Sequence, residues 1–208
     1  MDTAFFLTWI EEVAEAVRAE RDHLTELDAA IGDADHGTNL DRGFTAVREA
    51  LAGAPPATPG AALVLAGTTL IRKVGGASGP LYGTAFRQLG KSLGDAPDIG
   101  LPELAAAFEA ALAALGKLGG AAEGDKTMVD ALAPAVRELA KAALDGAKPG
   151  DALNRAADAA AGGARATIPL QARKGRASYL GPRSAGHEDP GAASTALIFD
   201  ALRRTAQR

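Results

Sequence analysis

The chain has 208 residues, 47% hydrophobic but only 4% aromatic, with a formal net charge of −4. That length provides one ample domain, or at most two small ones, with a sizeable core, and the acidic balance argues against nucleic acid or an anionic membrane as the main partner. Cysteine is absent, which excludes disulfides, zinc-thiolate sites and thiol catalysis.

Met1-Asp2-Thr3 leads into an acidic amphipathic segment, not the basic region and apolar run of a secretory leader. Phe5, Phe6, Trp9, Ile10, Val13 and Val17 recur at helical spacing, with Glu11, Glu12, Glu15 and Arg18 expected opposite them. A second helix is predicted from Arg21 to about Ala30, with Leu24, Leu27 and Ile31 inward and Asp28 near its end. The third is predicted to start after Gly37, where Thr38-Asn39-Leu40-Asp41 has a capping-box layout with Asp in place of Glu, and to stop at Gly53. Thr58-Pro59 reads as an N-cap followed by a first-turn proline, opening an apolar helix to Val74. No apolar run reaches membrane-spanning length, because Arg72-Lys73 closes the best candidate, Ala61–Ile71. The expectation is a soluble, cytoplasmic protein.

Gly75-Gly76 ends that helix, and a fifth runs through Phe86 and Leu89 to Gly94. Pro102 opens the sixth, striped by Leu104, Phe108, Leu112 and Leu115. Thr127 or Asp125 caps the seventh, and an alanine-rich helix spans Asp151 to Thr167. Pro169 to Pro190 is expected to be irregular, before a last helix from Gly191 to about Thr205. No segment shows sustained period-two alternation, so the predicted class is all-α. With so few aromatics, the helices must approach one another closely.

Chemistry concentrates at the junctions. In Leu27-Asp28-Ala29-Ala30-Ile31-Gly32-Asp33-Ala34-Asp35-His36-Gly37, three carboxylates lie within eight residues between glycines. Asp33 and Asp35, two apart in an extended turn, can converge, and Asp28 can close the triangle. Carboxylates held that close repel one another unless a cation sits among them, and oxygen-only ligands favour Mg²⁺ or Ca²⁺. The competing explanation is helix capping. An EF-hand does not fit, because Phe44 stands where the bidentate glutamate would be.

Gly75-Gly76-Ala77-Ser78-Gly79-Pro80 is either a helix end and turn or an anion site on a helix start, and spacing alone favours the turn. Gly90-Lys91-Ser92 imitates the end of a P-loop, but Ala85 replaces its first glycine. Gly119-Gly120-Ala121-Ala122-Glu123-Gly124-Asp125-Lys126-Thr127-Met128 is a second such junction, and His187-Glu188-Asp189-Pro190-Gly191-Ala192 a third. Ala172–Gly181 gathers Arg173, Lys174 and Arg176 in a long loop, and arginine fits phosphate as a bidentate fork. Carboxylates for a metal, glycine-rich helix starts for phosphates and a cationic loop would together make a nucleotide site.

These blocks, in this order, resemble the nucleotide-binding L subunit of dihydroxyacetone kinases. Leu24–Gly37, Gly75–Gly83, Gly124–Met128, Ala172–Gly181 and Gly186–Ala192 carry the likeness, and the length suits a free-standing L subunit. One departure is Ala34, where members often have glycine. The resemblance implies a single domain over residues 1–208, an eight-helix antiparallel barrel with the nucleotide at one rim. It implies that Asp28, Asp33 and Asp35 coordinate two Mg²⁺ ions and form the catalytic centre for transfer from ADP- or ATP-bound phosphate. His36, Thr38, Asn39, Ala77, Ser78, Gly119, Gly120, Thr127, Met128, Arg176, Asp189 and Gly191 match the nucleotide contacts.

The same resemblance places dihydroxyacetone on a separate K subunit, held through a histidine of that partner, so His23, His36 and His187 would not be the covalent residue. The phosphate would come directly from ATP, or from a bound ADP coenzyme recharged by a phosphoenolpyruvate-fed M subunit. A free-standing L chain points to the second. A kinase of a related keto-sugar, a nucleotide-sensing adaptor of a transcription regulator and a Ca²⁺-binding helical protein stay open, as does a homodimer.

Overall fold

Four helix starts follow from short polar signals. Asp2, Thr58, Thr127 and Asp189 accept the backbone N–H groups of Phe5 (2.9 Å), Ala61 (3.2 Å), Val129 (3.2 Å) and Ala192 (2.7 Å). Pro59 and Pro190 follow two of these caps, where the missing N–H costs nothing. A computed structural model describes all residues, Met1–Arg208. It contains α1 (Thr3–Ala19), α2 (Arg21–Ile31), α3 (His36–Gly53), α4 (Pro59–Lys73), α5 (Ser78–Leu93), α6 (Leu101–Gly119), α7 (Met128–Leu144), α8 (Pro149–Ala166) and α9 (Pro190–Thr205). A 3-10 segment spans Arg176–Ser184, and no strand is present, so the class is all-α. No helix is long and apolar enough to cross a membrane.

From α3 onward each helix packs on the next, and α1 packs on both α3 and α9, so the contacts run in a closed circuit. The second helix lies against α3, α9 and the 3-10 segment. Inside the circuit Trp9 stacks on Phe86 with ring centroids 5.6 Å apart, and Phe108 meets Phe199 at 5.1 Å. The Trp9 indole N–H donates to the Ile198 carbonyl at 3.0 Å, joining α1 to α9 without leaving a buried donor unpaired. Helices α4 and α5 meet backbone to backbone: a Cβ on Gly67 would fall 2.5 Å from the Gly83 carbonyl oxygen, and one on Gly90 2.4 Å from that of Gly60. Glycine, not bulk, makes this pair close.

The structure corrects the local readings at three places. Glu12, expected opposite the apolar stripe of α1, is buried and pairs with Arg204 and Arg208. Helix α3 begins at His36, so Thr38 is an exposed residue inside the first turn and the Thr38-Asn39-Leu40-Asp41 capping box does not form. The start of α3 is capped instead from α2, by Asp28. The stretch from Pro169 to Pro190 is not wholly irregular, because it holds the 3-10 segment, kinked where Gly181 adopts φ +56°.

Candidate functional site

Asp28 sits in the last turn of α2, 8% exposed. One of its oxygens accepts the N–H groups of Asp35 (2.8 Å) and His36 (3.1 Å), which ties the end of α2 to the start of α3. Glycine at 32 is a steric need: a Cβ there would lie 2.0 Å from the other Asp28 oxygen. The turn between the helices then places Asp33 and Asp35 beside Asp28, with one ligand atom from each within 4.8 Å of the other two. Ala34 makes that turn at φ +59°, a left-handed conformation that disfavours a Cβ by about 1 kcal/mol. The departure at Ala34 is therefore tolerated at some cost.

These carboxylates open onto a cavity of about 430 Å³, within the size range of ligand sites. Four helix starts line it: Asp35 and His36 of α3, Ala77 and Ser78 of α5, Thr127 and Met128 of α7, and Asp189 to Gly191 of α9. Helix starts carry unpaired N–H groups and partial positive charge, which suits anions. At α5 no side chain caps the first turn, and Gly76 turns the chain at φ +62°. Leu81, Leu115, Leu118 and Met128 supply an apolar lining suited to a flat ring.

The cationic loop is seated, not free. Ile31, Ala172 and Ala177 bury one another with Leu180 packed against them, and the Ala172 N–H donates to the Ser184 hydroxyl at 2.8 Å. This brings Lys174 and Arg176 to the cavity, where the Arg176 guanidinium lies 3.0 Å from Asp33.

His36 is buried, with Nδ1 3.1 Å from the Ser78 hydroxyl and Nε2 2.8 Å from that of Ser194. Burial lowers its pKa from the ordinary value against the opposing charges of Asp28 and Asp35. Burial also pushes Tyr82 up to about 12, although Ser194 and Thr195 bond its hydroxyl.

Lys126 is 1% exposed at φ +62°. Its ammonium donates to the Thr167 carbonyl at 2.7 Å and to that of His187, joining the start of α7 to the end of α8 and the segment before α9. Asp130 holds the same loop by accepting the N–H groups of Gly124 (2.6 Å) and Thr127 (2.7 Å). Burial lowers the Lys126 pKa from its ordinary value. Burial pushes the Asp189 carboxyl up to about 7, against the Ala192 N–H and the Lys126 charge, which favour the carboxylate.

Of the predicted residues, Asp28, Asp33, Asp35, His36, Ala77, Ser78, Gly119, Thr127, Met128, Arg176, Asp189 and Gly191 line the cavity together. Thr38, Asn39 and Gly120 are outside its lining. Asn39 is buried behind Gly75 and accepts from Arg42 at 2.7 Å, and Gly120 ends α6 at φ +59°. Sequence reasoning passed over Lys126 and Tyr82, although both stand in the quoted blocks, and Ser194 and Thr195, for which no pattern spoke.

Fold and site together define an all-α protein whose cavity sets three carboxylates among helix starts. The chain belongs to the DAK2 domain family, which it matches over residues 30–204. It is 41% identical over 204 residues to a Listeria innocua protein named PEP-dependent dihydroxyacetone kinase 1, ADP-binding subunit DhaL, covering 98% of this chain and 97% of that one. The corresponding Escherichia coli subunit is 40% identical over 196 residues, covering 94% and 93%. The fold matches the crystal structure of the C. freundii dihydroxyacetone kinase in complex with AMP-PNP and Mg²⁺ at TM-score 0.73 and 29% identity, over 97% of this chain and 34% of that longer one.

Proposed function

We propose that this chain is the nucleotide-binding, phosphoryl-transferring subunit of a dihydroxyacetone kinase, formed by one domain over residues 1–208 and carrying Mg-ADP or Mg-ATP in the cavity. The observation that carries this reading is the convergence of Asp28, Asp33 and Asp35 within 4.8 Å at the mouth of a cavity lined by four helix starts. The closed circuit of helix contacts supports the eight-helix barrel with its site at one rim. Near-complete coverage of subunits named ADP-binding and PEP-dependent favours a bound ADP coenzyme, recharged by an M subunit and discharged onto dihydroxyacetone held by a K subunit.

The donor set fits a hard divalent cation: oxygen only, three adjacent negative charges, and one Asp28 oxygen left over after capping α3. The three aspartates would hold two Mg²⁺ ions, which neutralise phosphate oxygens during transfer. The helix starts orient the phosphates, Arg176 adds a positive charge, and the apolar lining excludes water from the base.

Native mass spectrometry of the purified chain is expected to show ADP or ATP with magnesium. The Asp33→Asn variant should lose Mg²⁺-dependent nucleotide binding by calorimetry while keeping its helical circular dichroism. Unchanged binding in that variant would remove the metal assignment. Discharge of phosphorylated M protein onto the bound nucleotide, then onto dihydroxyacetone with K subunit present, separates the coenzyme route from direct use of ATP.

A further inference from the structure

A chain of buried hydroxyls runs behind the cavity wall from α9 to α5 through His36. The Tyr82 hydroxyl lies 2.7 Å from that of Ser194 and 3.0 Å from that of Thr195. Ser194 in turn faces His36 Nε2 at 2.8 Å, and Nδ1 faces Ser78 at 3.1 Å. Ser194 and Thr195 are 0% and 2% exposed, so water cannot complete their bonding.

One arrangement of the protons keeps every bond inside the protein. The Thr195 hydroxyl donates to the Gly191 carbonyl at 2.8 Å, and the Ser194 hydroxyl to the Pro190 carbonyl at 2.9 Å. With its proton so used, Ser194 accepts from a protonated Nε2, while the Tyr82 hydroxyl has both Ser194 and the Gly191 carbonyl (3.0 Å) as acceptors. A neutral ring then has a bare Nδ1, which must accept, so the Ser78 proton points inward. All five protons, one on each hydroxyl and one on the ring, are then bonded within the protein. In the other arrangement Ser194 donates to Nε2, Nδ1–H donates to Ser78, and the Ser78 proton is released toward the cavity. That second state gives up one bond inside the protein for one to whatever occupies the cavity, and an anion there accepts the Ser78 proton more strongly than water does.

We propose that Tyr82, Ser194 and Thr195 are positioning residues that hold His36 as the Nε2–H tautomer in the free protein, and that an anion at Ser78 switches the chain to Nδ1–H so that Ser78 donates to it. Protons are only redistributed along existing hydrogen bonds, so no charge is gained or lost. The switch rests on the nucleotide reading above, whereas the tautomer of the free protein does not.

Long-range ¹H–¹⁵N correlation of the three histidines, with His36 assigned by its loss in His36→Gln, tests both halves. The free protein is expected to show a protonated Nε2 and an accepting Nδ1 on His36. The Ser194→Ala variant, confirmed folded by circular dichroism, should lose that single tautomer, and Tyr82→Phe should weaken it. An Nδ1–H ring in the free protein, or an unchanged Nε2–H ring in Ser194→Ala, overturns the relay. Mg-ADP is expected to move His36 toward Nδ1–H, and Ser194→Ala to bind it roughly tenfold more weakly. Nucleotide that binds without moving the tautomer overturns the switch. Failure of nucleotide to bind at all counts against the function, while the relay is still judged on the free protein.

Discussion

Asp28 and Asp189 are the same residue type, each 8% exposed, each lining the same cavity and each accepting backbone N–H groups at a helix start. Their surroundings make them different devices. Asp28 is joined by Asp33 and Asp35, so negative charge accumulates where the one ion pair is that of the exposed Arg176 with Asp33. Asp189 sits with the buried charge of Lys126, and its neighbourhood closes on itself through Thr167, whose hydroxyl accepts the Asp189 N–H at 2.9 Å. One part of the wall leaves its charge for a ligand to balance; the other balances its own. Substitutions in the second part should therefore act on stability, and those in the first on binding.

The largest effect is expected from pH at Asp189. The unfolded chain gives up this proton near pH 4 and the folded chain near 7, so between those values the folded state holds more protons. Stability then falls as pH rises across that window, by on the order of 4 kcal/mol. Asp189→Asn, which keeps an acceptor for Ala192, should flatten the slope in urea titrations repeated from pH 4 to 7. A parallel slope in the variant would move the effect elsewhere. Lys126→Met comes next: it strands the carbonyls of Thr167 and His187 and should cost roughly 3 kcal/mol in the same titration.

Arg176→Ala probes the open part of the wall. Its ion pair with Asp33 is exposed and contributes under about 1 kcal/mol to folding, so the melting temperature should hardly move. Nucleotide affinity should drop roughly tenfold with the loss of a charge-assisted bond. Unchanged affinity and turnover would reduce the segment to a plain loop. Thr38→Ala is the smallest: a capping box would make it cost about 1 kcal/mol, but with α3 capped by Asp28 the change should stay within about 0.5 kcal/mol by thermal melting.

The residues most legible from sequence were those whose type and spacing leave few alternatives. Three aspartates among glycines and Thr58-Pro59 before an apolar run each have a local physical reason. Thr38 was misread for the same cause. Its pattern was sound locally, but the helix already starts at His36, where a carboxylate from the preceding helix accepts the Asp35 and His36 N–H groups. Ser194 and Thr195 look like ordinary helix residues, and only the approach of α5 and α3 turns them into a relay. Asn39 looked like part of the site, yet it braces Gly75 from behind.

Period, composition and capping chemistry were enough for the all-α class, nearly every helix boundary and the convergence of carboxylates in the acidic turn, because those depend on neighbours within a few positions. Which side chains share the cavity was decided by packing. Lys126 meets Thr167 and His187, 41 and 61 positions away, and His36 meets Ser194 across 158. Such pairings exist only once the helix circuit closes, and their energies come from excluding water around groups that the chain alone leaves solvated.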